Sequence, residues 1–201
     1  MKIVKLRSLA VQLFTFLTLC VGASALCSPV FAEVVRSSDV GFTVTHSVNV
    51  PMPPPAAWSA LADVGRWWDP EHTFSGDARN MTLDPFVGGC LCEKLGMYAG
   101  AQHMIVIYAQ PPKTLRLRGA LGRLQEFAIT GSLTWTIEVS GGGSKITMTY
   151  TAGGYADRPL TEWALLVDGD LVTQMQRLGR FIATGNPADT KADSKADSKR
   201  Q

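Results

Sequence analysis

Seven apolar residues near the C-terminus, Leu160, Ala164, Val167, Leu171, Met175, Leu178 and Ile182, recur at steps of three and four. That spacing draws one unbroken stripe along a helix predicted to span residues 159–184. A stripe of this length has to be buried against a partner, and the rest of the chain offers strands. Gly185-Asn186-Pro187 stops the helix, and Gly169 near its middle, a poor helix former, permits a bend.

The strands are read from alternation. In GFTVTHSVNV, residues 41–50, Phe42, Val44, His46, Val48 and Val50 share one face while Thr43, Thr45, Ser47 and Asn49 share the other, which is a half-buried strand. PMPPPAAWSALADVGRWW follows, where Pro53 to Pro55 open a short helix carrying Trp58, Leu61 and Ala62 until Gly65 ends it. Strand-like segments then succeed one another at 81–83, 90–95, 102–109, 114–118, 131–139 and 145–151, each closed by Gly or Pro turn signals. SGGGS between the last two permits the positive φ of a tight reversal, so they form a hairpin. Short connections between successive strands imply an antiparallel sheet. The expected fold is therefore α+β: a curved antiparallel sheet wrapped around the long C-terminal helix, with one or two short helices after the first strand. A strongly curved sheet and one helix need not meet along their whole length, and the space left is either filled core or an apolar pocket.

Charge narrows the partners. Lys and Arg number 19 against 17 Asp and Glu, a net charge of +2, far from the basic field that phosphate-backbone binding needs, so no nucleic-acid partner is expected. The N-terminus has the secretory layout: Lys2, Lys5 and Arg7, an uncharged apolar run to about Leu26, then SPVFA and Glu33. Cleavage is placed after Ala32, which leaves 16 basic and 17 acidic residues in an exported domain. Residues 1–32 read as the signal peptide, 33–40 as a linker, 41–185 as the domain and 186–201, with its imperfect KADS repeat, as a polar disordered tail. Leu19 before Cys20 and Leu26 before Cys27 argue against lipidation. No later apolar run approaches membrane-spanning length, so a soluble protein of the periplasm or the extracellular medium is expected, of unknown oligomeric state.

Four stretches together resemble the SRPBCC superfamily, the helix-grip fold of START lipid-transfer domains, birch-pollen-allergen proteins, polyketide cyclases and chaperone-ATPase activators. They are VNVPMPPPAAWSALADVGRWW, FVGGCLCEKL, QHMIVIYAQPPKTLRLRG and SLTWTIEVSGGGSKITMTYTAGGY, in that order, within residues 42–185. The resemblance implies an apolar cavity between sheet and C-terminal helix. It implies no single reaction, since members bind, carry or catalyse. The leading expectation is an exported binding or carrier protein for a small hydrophobic or amphipathic ligand, without a cofactor. One alternative is a cyclase- or dehydratase-like enzyme in the same cavity. The other is an interaction module like the chaperone-ATPase activators, against which export counts.

Site candidates follow from polar interruptions and large rings. His103 and Glu93 lie on neighbouring predicted strands and, if both face the pocket, form an acid/base pair or a polar handle for a ligand's oxygen. Trp67 or Trp68 would close the cavity mouth; Trp135, Tyr150, Trp163 and Phe181 are wall candidates, joined by Val167 and Leu171 of the helix stripe. Cys90 and Cys92 share a strand face and are read as two small buried thiols beside the pocket, because side chains two apart in a strand project in parallel and bridge poorly. A redox-active bridge is the rival reading, and a soft-metal site would need further ligands. Arg116 and Arg118 share a face opposite Leu115 and Leu117; that face is solvated, or Arg116 reaches a carboxylate of the ligand or of Glu93. Asp69, Glu71 and His72 match no strong metal-ligand spacing, and no metal is expected.

Overall fold

The computed structural model describes residues 31–188. The signal peptide read at residues 1–32 falls almost wholly outside the described residues, as does nearly all of the tail.

Eight strands form one sheet in the order β1-β2-β8-β7-β6-β5-β4-β3, every neighbouring pair antiparallel. They are β1 (Phe31–Ser38), β2 (Gly41–Val50), β3 (Met81–Leu83), β4 (Cys90–Lys94), β5 (Gly100–Gln110), β6 (Thr114–Gly119), β7 (Ala128–Ser140) and β8 (Gly143–Tyr155). Two helices complete the fold, α1 (Pro54–Ala62) and the long α2 (Leu160–Thr184). The segment expected as a linker is thus largely β1, which pairs with β2 across a bulge near Val34 and Arg36. Its sequence, FAEVVRSS, lacks the strict alternation that marks a strand by eye.

The elements form for local reasons. α1 opens on Pro at its first positions, where a missing N–H costs no bond. α2 ends at Gly185 with φ of 79°, a left-handed cap that a side chain would resist. The β7–β8 hairpin turns on Gly141 and Gly142, with φ of 54° and 83°, the geometry of a two-residue reversal that follows sheet twist. On the outer face, Thr43 and Thr151, Thr45 and Thr149, and Ser47 and Thr147 pair hydroxyl to hydroxyl at 2.9 to 3.2 Å, so this side of the sheet is wet.

The inner face packs on α2. Val44, Val48, Ile146, Met148 and Tyr150 of the sheet are buried together with Ala164, Met175, Leu178 and Ile182 of the helix. Gly179 brings the helix close to β2, for a Cβ there would stand 2.7 Å from a methyl group of Val48. Toward β4 and β5 the helix faces the connecting segments as well. After α1 come one-turn 3-10 helices at Val64–Arg66, Pro70–His72 and Ala78–Asn80, and Gly122–Glu126 forms another between β6 and β7.

Candidate functional site

A cavity of about 370 Å³ lies where these connecting segments, with Met81 of β3 and His103 of β5, close the space beside α2. This falls in the range of small-molecule sites, roughly 300 to 1,000 Å³. Its apolar floor is Trp68, Met81 and Leu124 with Trp163, Val167 and Leu171 of α2, all buried. Its rim is exposed: Leu166 is 53% accessible, and the side chains of Arg123, Arg158 and Asp170 are 72%, 46% and 57% accessible.

Two side chains of α2 hold the wall formed by residues 67–72. Arg177 donates to the carbonyls of Trp67 and Trp68 at 3.0 and 3.3 Å. Gln174, 1% exposed, accepts the Asp69 amide on Oε1 at 2.8 Å, which fixes its orientation and points Nε2 at His72 Nδ1, 2.7 Å away. His72 Nδ1 therefore accepts, and the proton on Nε2 faces Asp170 Oδ1 at 3.2 Å. Burial pushes the Asp170 carboxyl above its ordinary range and the neighbouring Asp69 charge adds to this, against the pull of His72. The Trp68 indole donates to the His72 carbonyl at 3.2 Å, so the ring is anchored as it lines the cavity.

The second polar wall is built by a bulge. Leu91 pairs with Met104 but Cys92 pairs with Gln102, so His103 is the extra residue of β5 and turns inward beside Met104. His103 Nε2 lies 3.1 Å from Glu93 Oε2, both residues buried. The Glu93 carboxylate also accepts the amides of Phe74 and Ser75 at 3.1 and 2.5 Å. Burial alone would raise its pKa, but the hydrogen bonds from Ser75, Phe74 and His103 outweigh burial and hold it below the ordinary value. An ionised Glu93 can only accept, so Nε2 of His103 carries the proton and Nδ1 accepts from Gln125 Nε2 at 2.9 Å. Phe74 stacks on the ring with centroids 5.4 Å apart. Both cavity histidines are thus held in one tautomer between a carboxylate and an amide.

Of the residues singled out in the sequence, the cavity collects His103, Trp68, Trp163, Val167 and Leu171, with Glu93 directly behind His103, and also His72, which the sequence raised only as part of a metal set. The others lie elsewhere. Trp67 is core, 1% exposed, its indole donating to the Leu61 carbonyl at 3.3 Å. Trp135 and Tyr150 are fully buried in the filled part of the sheet, where desolvation lifts the Tyr150 phenol to about 12. Phe181 is covered by the Arg66 guanidinium, 4.7 Å above its ring. Arg116 is on the solvated face, bonded to Thr134 Oγ1 at 3.0 Å, because its strand alternates it against the buried Leu115 and Leu117.

Cys90 and Cys92 require two corrections. They are half-buried on the outer face, opposite Leu91 and Glu93, and therefore away from the cavity. They are also bridged. Their Cα atoms are 5.5 Å apart, nearer than the roughly 6.6 Å of two flat strand steps and within disulfide reach, and the irregularity facing His103 lies between them. The parallel projection expected of an ideal strand fails at that irregularity.

Gln174, Gln125, Asp170 and the wall 121–124 escape a reading of the sequence. A buried Gln inside a helix carries no motif, and residues 120–127 show neither period.

Comparison with known proteins agrees with this architecture. Residues 41–181 match the family described as polyketide cyclase / dehydrase and lipid transport. The chain belongs to that family. Among solved structures it is similar to CalU16 from Micromonospora echinospora, at 12% identity over 86% of this chain and 94% of that one, with a TM-score of 0.53. The protein SSP2350 from Staphylococcus saprophyticus is also similar, at 14% identity over 72% of this chain and 93% of that one, with a TM-score of 0.50. At these identities the likeness concerns the fold alone. No curated protein matches the chain. The fold is that of a ligand-binding SRPBCC protein.

Proposed function

We propose that this family member is exported and binds a small amphipathic molecule in the cavity beside α2. The observation that carries the reading is the cavity itself: an apolar floor of buried aliphatic and aromatic side chains beneath an exposed, charged rim. The polar groups on its walls are largely paired with one another, so a guest meets mostly hydrocarbon inside and charge only at the entrance. The positively charged start and apolar run of the N-terminus support export with cleavage near Ala32. Native mass spectrometry of protein purified from its own cell envelope tests this reading. A bound species that organic extraction removes is expected, with an N-terminus at Glu33. Repeated clean apo masses, together with no binding of added amphiphiles, would overturn it.

A second reading, acid/base catalysis, is favoured by one specific contact, His103 against Glu93 in the cavity wall. A carboxylate behind an imidazole orients the ring and fixes which nitrogen carries the proton, which suits proton transfer to or from a bound ligand. To act, Nδ1 must exchange Gln125 for the ligand. Catalysis predicts a time-dependent mass change in the bound compound that His103→Ala and Glu93→Gln abolish. An unchanged compound refutes it.

A further inference from the structure

The chemistry of the rim narrows the ligand. We infer that the cavity takes an amphipathic anion, a hydrocarbon body bearing a carboxylate, whose charge is received by Arg123 and Arg158. This rests on the cavity being the binding site and adds which end of the guest is recognised and by what.

The titratable groups facing the cavity are His72, His103, Asp170, Arg123 and Arg158. Three of the five are already occupied: His103 by Glu93 and Gln125, and His72 and Asp170 largely by each other and Gln174. The two guanidinium groups differ. Arg123 reaches Glu126 only at 3.6 Å, and Arg158 reaches Asp157 and Glu162 at 3.6 and 3.9 Å, beyond hydrogen-bond distance. Among the described residues neither donates a hydrogen bond, whereas Arg177, Arg180 and Arg116 each donate through Nε to a fixed oxygen. Such loose, solvated ion pairs contribute at most about 1 kcal/mol, so a ligand carboxylate can replace them with little loss. A guanidinium offers that carboxylate two parallel N–H bonds.

Placement completes the case. Arg158 lies over the Trp163 ring at 5.4 Å, so its charge is held at the edge of the apolar floor. Arg123 comes from the 3-10 turn whose Leu124 is part of that floor. Each cation thus sits one residue or one ring from buried hydrocarbon. A carboxylate at the rim would leave its tail over Trp163, Leu171 and Leu124. A cationic head would meet two like charges at the lining, where Asp170, already engaged by His72, is the one acid among the described residues; Glu126, Asp157 and Glu162 stand beside the guanidinium groups but do not line the cavity.

The test uses three probes with one tail: decanoate, decanol and decyltrimethylammonium, titrated into the purified protein by calorimetry at low salt. Decanoate is expected to bind about tenfold or more tighter than decanol, with decyltrimethylammonium weakest. Arg123→Gln and Arg158→Gln should each weaken decanoate about three- to tenfold and leave decanol unchanged, and added salt should narrow the gap between the two. Equal affinity for decanoate and decanol, or loss of both in the Gln variants, overturns the anion inference while the binding site stands. If no probe binds, or if Leu171→Trp, which fills the floor, leaves the affinity of a bound probe unchanged, the cavity reading fails instead.

Discussion

The two ends of the space between sheet and α2 are built on different principles. At the β2 and β8 end, helix and sheet are in direct contact, with Gly179 letting the helix settle against Val48 and Leu178 and Met175 fully buried. At the other end the sheet curves away, and 3-10 turns with Trp68, His72 and Leu124 span the gap without filling it. Each end has its histidine and carboxylate. His46 at the filled end is fully buried and lies 3.0 Å from Asp168, off the direction of a good hydrogen bond, while at the open end His103 has both ring nitrogens hydrogen-bonded and His72 has its Nδ1 bonded to Gln174. Packing dominates at the first end, with His46 and Asp168 as its buried polar pair; the second is held also by polar clamps such as Gln174 and Arg177.

Truncations should separate the ends most strongly. Leu178→Ala removes a side chain packed on all sides and should cost about 3 to 5 kcal/mol in denaturant unfolding. Leu171→Ala, already bordering empty space, should cost at least about 1 kcal/mol less; equal costs would mean the open end is as solid as the other. Glycine substitutions come next. Gly179→Ala should destabilise by about 1 to 3 kcal/mol, since its Cβ would press on Val48, whereas Gly169→Ala meets open space and should gain up to about 1 kcal/mol from helix propensity. Replacing both Cys90 and Cys92 by Ser opens a very short loop, so the cost should be only about 1 to 2 kcal/mol. Ligand affinity should not change, because the bridge lies on the outer face. Unfolded chain beginning at Glu33 should titrate no free thiol.

The smallest effects are in pH dependence, and they fall in different windows. Burial is the largest influence on His46 and lowers its pKa below the ordinary 6.5, against the attraction of Asp168. Between the folded and unfolded pKa values the unfolded chain binds the extra proton, so the neutral ring's contribution is full above pH 6.5 and is lost as pH falls below it. Glu93 is also depressed, so its contribution is present above about pH 4.5 and is lost as pH falls through its lower folded value. His46→Gln should flatten the stability curve just below pH 6.5, and Glu93→Gln should flatten it only below pH 4.5. A single shared window would break the distinction between the ends.

Much of the frame was legible because it rests on period. Alternation in 41–50 marks β2, SGGGS marks the β7–β8 reversal, and the stripe from Leu160 to Ile182 marks α2. The pairing of His103 with Glu93 was foreseeable as two polar residues in apolar surroundings on adjacent strands. What could not be read off depends on departures from period. The bulge that turns His103 inward and the bridge between Cys90 and Cys92 both sit at one irregularity in the β4–β5 ladder. β1, the turn at Gly122–Glu126 and the clamps Gln125 and Gln174 carry no repeat, because tertiary contacts fix them.

The central claim, that a small amphiphile lodges at the open end beside α2, is tested most directly by following the indole N–H resonances during titration with decanoate. Trp68 and Trp163 line the cavity, while Trp67 and Trp135 are buried outside it. The account predicts saturable shifts of the Trp68 and Trp163 signals with the Trp67 and Trp135 signals little moved. Saturable shifts at Trp135 with none at Trp68 and Trp163, or no saturable shift at any of the four, would contradict it.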